Sequence, residues 1–160
     1  MSETTTARVS RRQFCEGACQ VASCAALTTL MSACGTGTSS PTSPSGPSAT
    51  LGVLVGRFVG SVVQAPVGGS ALSQESGAVL VESAAGKFLV ARTSANTFTA
   101  IDAICTHEGC TITGIAGTTY VCPCHGSRYS LNGRVLAGPA TASLRQYPAT
   151  VADGVVTIAL

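Results

Sequence analysis

The chain has no tryptophan, aromatic residues make up 4% of it, and only 10% of its residues are charged. A formal net charge of +2 is too small to argue for a nucleic-acid partner. From position 51 onward six basic residues (Arg57, Lys87, Arg92, Arg128, Arg134, Arg145) are opposed by five acids (Glu75, Glu82, Asp102, Glu108, Asp153), which leaves no basic patch. The same stretch shows no amphipathic helical pattern. The chain holds no nucleophile–base pair, no phosphate-binding loop and no third histidine, which argues against an enzyme acting by itself. What is plentiful is Gly, Ser, Thr, Val and Ala, a composition that favours strands and turns. With 160 residues the chain is long enough for one domain with a real core, not for two.

Short strand-like runs separated by turn residues fill the chain after position 50. Leu51 to Val63 reads as one or two strands, with valines set between glycines. Ala78–Glu82 and Phe88–Arg92 flank Ser83–Lys87, a hairpin with a Gly-containing loop. Thr97–Asp102 alternates, as does Thr118–Val121. Asn132-Gly133 joins Ser130-Leu131 to Arg134–Leu136, and Asp153-Gly154 joins Thr150–Ala152 to Val155–Ala159; both dipeptides are strong two-residue hairpin signals. The pattern predicts an all-β, antiparallel, small sandwich or barrel over residues 51–160.

Eight cysteines fall into two groups, at 15, 19, 24 and 34 and at 105, 110, 122 and 124. A small secreted chain with eight cysteines can be a disulfide scaffold, but the two histidines lodged inside the second group argue otherwise there. Cys105-Thr106-His107-Glu108-Gly109-Cys110 and Cys122-Pro123-Cys124-His125-Gly126-Ser127 each supply one Cys and one His spaced to bind a metal. Each also supplies one further Cys. That division of labour suits a two-iron, two-sulfide centre.

These two blocks resemble the Rieske iron–sulfur family closely. The resemblance implies one [2Fe-2S] cluster, with one iron on Cys105 and Cys122 and the other on His107 and His125, and a disulfide between Cys110 and Cys124. Replacing two thiolates by neutral imidazoles makes such a cluster less negative and easier to reduce. Ser127 and Tyr129 match the Gly-Ser-x-Tyr pattern of high-potential members, where the hydroxyls donate to a bridging sulfide and a cysteine sulfur. Gly109 and Gly126 follow the ligand segments and are expected to aim backbone amides at sulfur. Gly138-Pro139-Ala140 resembles the proline loop that covers the cluster. Two positions depart from the family: Thr141 stands where a second Pro is frequent, and Glu108 where quinol-oxidising members carry an apolar residue.

The N-terminal third reads as an address. Ser10-Arg11-Arg12-Gln13-Phe14 resembles a twin-arginine export signal, which gives a signal segment over 1–33. The apolar-to-small run Val21–Cys34 is shorter than the roughly 20 residues needed to span a bilayer. Leu30–Cys34 resembles a bacterial lipobox, with Cys34 as the lipidated residue. Residues 34–50, uncharged and rich in Ser, Thr, Pro and Gly, form a flexible tether. Together these features predict a carrier exported folded to the outer side of a bacterial cytoplasmic membrane and held there by a lipid on Cys34 or by an uncleaved signal segment, with redox-protein partners. The resemblance implies a quinol-oxidising cytochrome bc-type complex, a cytochrome c or a periplasmic oxidase as the setting. Two alternatives stand beside it. A structural zinc module needs only two Cys and two His, but leaves Cys110 and Cys124 without use. The ferredoxin of an oxygenase system shares the four ligands, but generally lacks the extra Cys pair and needs no export signal.

Overall fold

The computed structural model describes Pro47 and residues 49–160. The twin-arginine segment, Cys34 and the tether as far as residue 46 lie outside the described residues. Among the described residues no helix is long and apolar enough to cross a membrane.

The first strands are β1 (Ala49–Thr50), β2 (Gly52–Val55), β3 (Arg57–Val59) and β4 (Val62–Pro66), followed by a single 3-10 turn at Ala71–Ser73. Next come β5 (Ala78–Ser83), β6 (Gly86–Ser94), β7 (Thr97–Asp102), β8 (Gly114–Ala116) and β9 (Thr119–Val121). The chain closes with β10 (Arg128–Ser130), β11 (Val135–Ala137), β12 (Gln146–Tyr147), β13 (Ala149–Ala152) and β14 (Val155–Ala159). They form three sheets, ordered β1-β8-β9-β10-β11, β12-β7-β6-β5-β2 and β13-β14-β4-β3. Among them only β2 and β5 run parallel. The fold is all-β, as the alternating pattern and turn spacing predict.

The second sheet is the middle layer. Along β5, Ala78 and Leu80 join one core while Val79 and Val81 join the other; along β6, Leu89 and Ala91 part in the same way from Phe88 and Val90. Successive side chains of a strand point to opposite faces, so a strand buried on both sides reads as an unbroken apolar run. The first core also holds Cys105, Cys122, Tyr120 and Tyr129, which ties the cysteine loops to the middle sheet. Residues such as Leu89 and Ile101 are fully buried there, each contributing roughly 1.5–3 kcal/mol.

Local chemistry sets the turns. Asp153 and Gly154 both take positive φ, 49° and 72°, the requirement of the type I′ turn that joins two strands tightly. The β5–β6 connection is shorter than the sequence suggests. Glu82 pairs with Lys87 and Ser83 with Gly86, which leaves Ala84-Ala85 as the turn. The Ser83 hydroxyl closes it, accepting from the Ala85 amide and donating to the Gly86 carbonyl. Leu51–Val63 holds β2, β3 and the start of β4, because Gly56 lets the chain cross from one sheet edge to another. A Cβ there would lie 2.7 Å from Val63 Cγ1 and from Val81 Cγ1.

Candidate metal centre

Two loops hold the cysteines and histidines. The first leaves β7 in the middle sheet and reaches β8 in the outer one, its base closed by a bridge between Ile104 and Thr111. The second joins β9 to β10 within that outer sheet. Their backbones match. In the first, the Cys105 amide donates to the Cys110 carbonyl (2.9 Å) and the Gly109 amide to the Cys105 carbonyl (3.0 Å). In the second, the Cys122 amide donates to the Ser127 carbonyl (2.8 Å) and the Gly126 amide to the Cys122 carbonyl (3.0 Å). Gly109 and Gly126 take φ of 75° and 73°, a conformation disfavoured for L side chains. Their amides therefore close the loops onto carbonyls and do not point at sulfur, contrary to the expectation from sequence. The backbone amides of His107, beside Cys105, and of Cys124 and His125, beside Cys122, favour the charged form of those thiols.

Cys110 and Cys124 form a disulfide that joins the two loops. Cys105 and Cys122 are free thiols, both buried. His107 and His125 stand on the outside, 29% and 48% exposed, with ring centroids 5.0 Å apart and planes at 90°. The arrangement is thus sulfur inward and imidazole outward.

The two thiols are unequal. Burial acts to raise Cys105, but hydrogen bonds from Tyr129, the His107 amide, Cys122 and Ser127 outweigh it and hold this thiol below its ordinary value. Burial pushes Cys122 up, and the neighbouring Cys105 adds to that, against the amides of Cys124 and His125. A buried pair of this kind carries donors suited to thiolates while mutual repulsion opposes ionising both. A cation between them resolves the conflict. The donor set of two thiols and two imidazoles, ringed by amides and hydroxyls, therefore fits an iron–sulfur centre.

Ser127 is fully buried; its Oγ accepts from the Ala140 amide (3.2 Å), which leaves its own hydrogen to give elsewhere. Tyr129 Oη lies 3.3 Å from Cys105 Sγ and accepts from the Thr106 amide at 3.3 Å. It is also 3.0 Å from Thr106 Oγ1. Because Thr106 Oγ1 donates its one hydrogen to the Ala142 carbonyl (2.7 Å), the Tyr129 hydrogen is shared between Cys105 sulfur and Thr106 oxygen. Thr106 is a participant that sequence reasoning missed; a Thr between two candidate ligands carries no signal of its own.

Gly138-Pro139-Ala140 lies against the second loop. Gly138 takes φ of 97°, and a Cβ there would stand 2.6 Å from Ser127 Cα. Pro139 is exposed and Ala140 buried. Glu108 is 59% exposed; its carboxylate oxygens lie 3.5 Å from His125 Nδ1 and 4.0 Å from His107 Nε2. Behind the loops, Tyr120 is fully buried and its hydroxyl has no hydrogen-bond partner among the described residues. Burial drives that phenol's pKa far up.

The Rieske [2Fe-2S] domain family profile matches residues 65–148. The chain is 44% identical over 54 residues to the cytochrome b6-f complex iron-sulfur subunit of Chlorobaculum thiosulfatiphilum, 33% of this chain and 30% of that protein. Against the same subunit of Synechococcus sp. (strain JA-3-3Ab) it is 51% identical over 55 residues, 34% of this chain and 31% of that protein. The matches thus span about a third of the length of these curated relatives. A solved complex of reduced oxygenase and oxidised ferredoxin in carbazole 1,9a-dioxygenase superposes with a TM-score of 0.50 at 24% identity. It covers 62% of this chain and 93% of the matched one, a likeness of fold.

Proposed function

The chain belongs to the Rieske [2Fe-2S] domain family, with one such cluster as its cofactor, and from that premise we propose that it is an exported, membrane-tethered one-electron carrier. Cys105 and Cys122 would hold one iron and His107 and His125 the other. When bound, the cluster supplies a one-electron site whose potential is raised by its imidazole ligands. The chain's own residues set the conditions around it. Cys110–Cys124 locks the two loops together, and the amides of His107, Cys124 and His125 stabilise charge on sulfur. Ser127 and Tyr129 supply hydroxyl hydrogens from a buried, water-poor shell, where such bonds are strong. The histidines face solvent, so exchange with a partner takes place on their side.

The observation that supports this most is the pairing of two buried free thiols with two exposed imidazoles across loops joined by a disulfide. The setting we favour is a quinol-oxidising complex of the cytochrome bc type or a periplasmic oxidase. It draws on the relatives named as cytochrome b6-f subunits and on the twin-arginine and lipobox-like segments. A signal segment over 1–33, a lipidated Cys34 with a tether to residue 50, and a cluster domain from 51 make a consistent set. Export in the folded state delivers the cysteines to a compartment where a disulfide persists.

Iron and acid-labile sulfide analysis of the full chain tests the cluster assignment. Two of each per chain is expected, with loss of both in Cys122→Ser; zinc in place of iron would overturn it. For the tether, Cys34→Ala is expected to release the protein from the membrane fraction, and unchanged partitioning would refute lipid anchoring.

A further inference from the structure

Glu108 is the only acidic residue between positions 103 and 144, the stretch that builds both cysteine loops and the segment over them; Arg128 and Arg134 are its only lysine or arginine residues. Its carboxylate is well exposed and lies within 4.0 Å of a ring nitrogen of each histidine. The solvent side of the centre therefore carries one fixed negative charge beside the groups through which a partner must make contact. In the two loops and the segment over them, Thr106, Gly109, Pro123, Gly138 and Pro139 are exposed and uncharged.

We propose that Glu108 selects the redox partner: this tip docks on a protein face bearing positive charge rather than on a neutral, apolar pocket. The inference rests on the assignment of His107 and His125 as outward-facing ligands. Its physical basis is the desolvation of an exposed carboxylate whose neighbouring imidazoles, as neutral ligands, supply no counter-charge. An apolar pocket would bury Glu108 without a counter-charge, which is strongly unfavourable, whereas a cationic face pairs it and steers the encounter. The oxidised cluster with two thiolates and two neutral imidazoles adds no net charge, and its reduced form adds one negative charge. The tip is therefore most attractive to a cationic acceptor in the reduced state, when the electron is to be given up.

The test uses the reduced full-length protein and two one-electron oxidants of opposite charge. Tris(phenanthroline)cobalt(III) accepts one electron to give cobalt(II); ferricyanide accepts one to give ferrocyanide. In Glu108→Gln the rate with the trivalent cation is expected to fall about threefold at 0.15 M salt and about sevenfold at 0.01 M, for an approach to roughly 8 Å. The rate with ferricyanide is expected to rise. Opposite changes isolate the charge, because a shift in midpoint potential would move both rates the same way. Glu108→Asp, which keeps the charge, is expected to follow the unaltered protein with both reagents.

Equal changes with both oxidants, or no change with either, would overturn the proposal. So would a cobalt rate in the unaltered protein that does not fall as salt rises. Failure of the ligand assignment shows separately, as absence of iron and of a reduced-state EPR signal in the unaltered protein.

Discussion

Substituting Gly138 by alanine perturbs the contact between the covering segment and the second loop at a point that cannot yield. The new Cβ would stand 2.6 Å from Ser127 Cα, 3.0 Å from Ser127 N and 3.1 Å from the Gly126 carbonyl oxygen. All three are backbone atoms, so no rotamer change relieves the clash. Carbon–carbon contact needs about 3.5–4.0 Å, so the segment must lift by roughly 1 Å. The Ala140 amide sits 3.2 Å from Ser127 Oγ, and a lift of that size takes it past the roughly 3.2 Å reach of a normal N–H···O bond. The φ of 97° adds strain for any L side chain, on the order of 1–2 kcal/mol. Overpacking adds about 1–3 kcal/mol, for a total loss of about 2–5 kcal/mol. Urea unfolding of the iron-loaded protein measures the loss, and an EPR-monitored titration measures how the potential responds to a freed Ser127. An unfolding free energy within about 0.5 kcal/mol of the unaltered protein, with an unchanged midpoint, would refute the claim that this segment is seated on Ser127.

Three further outcomes follow from the same geometry. Ser127→Ala and Tyr129→Phe are both expected to lower the midpoint potential with iron retained. The drop is expected to be larger for Ser127, because the Tyr129 hydrogen is shared with Thr106; redox titration of the two variants checks both sign and order. Tyr120→Phe removes a buried hydroxyl without a partner among the described residues and is expected to stabilise the protein by about 1 kcal/mol, seen as a higher Tm. Cys110→Ser with Cys124→Ser opens a link across a sequence separation of 14 and is expected to cost about 3 kcal/mol in denaturant unfolding.

The parts of this molecule legible in its sequence are those fixed by local chemistry. Asp153-Gly154 specifies its turn through two positive φ values, and the cysteine–histidine blocks announce themselves by residue type and spacing. What the sequence hid depends on partners far along the chain. The strand β1 is two residues long and exists because β8 pairs with it; β12 likewise exists because β7 pairs with it. Neither has the length to show a pattern. The run Ala78–Val81 signals a strand, but not that it lies between two cores. At the metal centre the glycines were legible as special and their task was not. Positive φ closes each loop onto its own cysteine carbonyl, and the amides that favour charge on the thiols come from residues chosen for other reasons. Thr106 and Tyr120 were silent, because a hydroxyl shows its role only when its neighbours are in place.

An EPR-monitored redox titration of the full-length protein decides whether two buried thiols and two exposed imidazoles build a high-potential centre. A reduced-state signal of a mixed cysteine–histidine [2Fe-2S] centre is expected. Its midpoint should lie well into the positive part of the roughly −150 to +300 mV range of such centres. A midpoint near the negative end would contradict the hydrogen-bond assignments at Ser127 and Tyr129, and absence of the signal would contradict the ligand set itself.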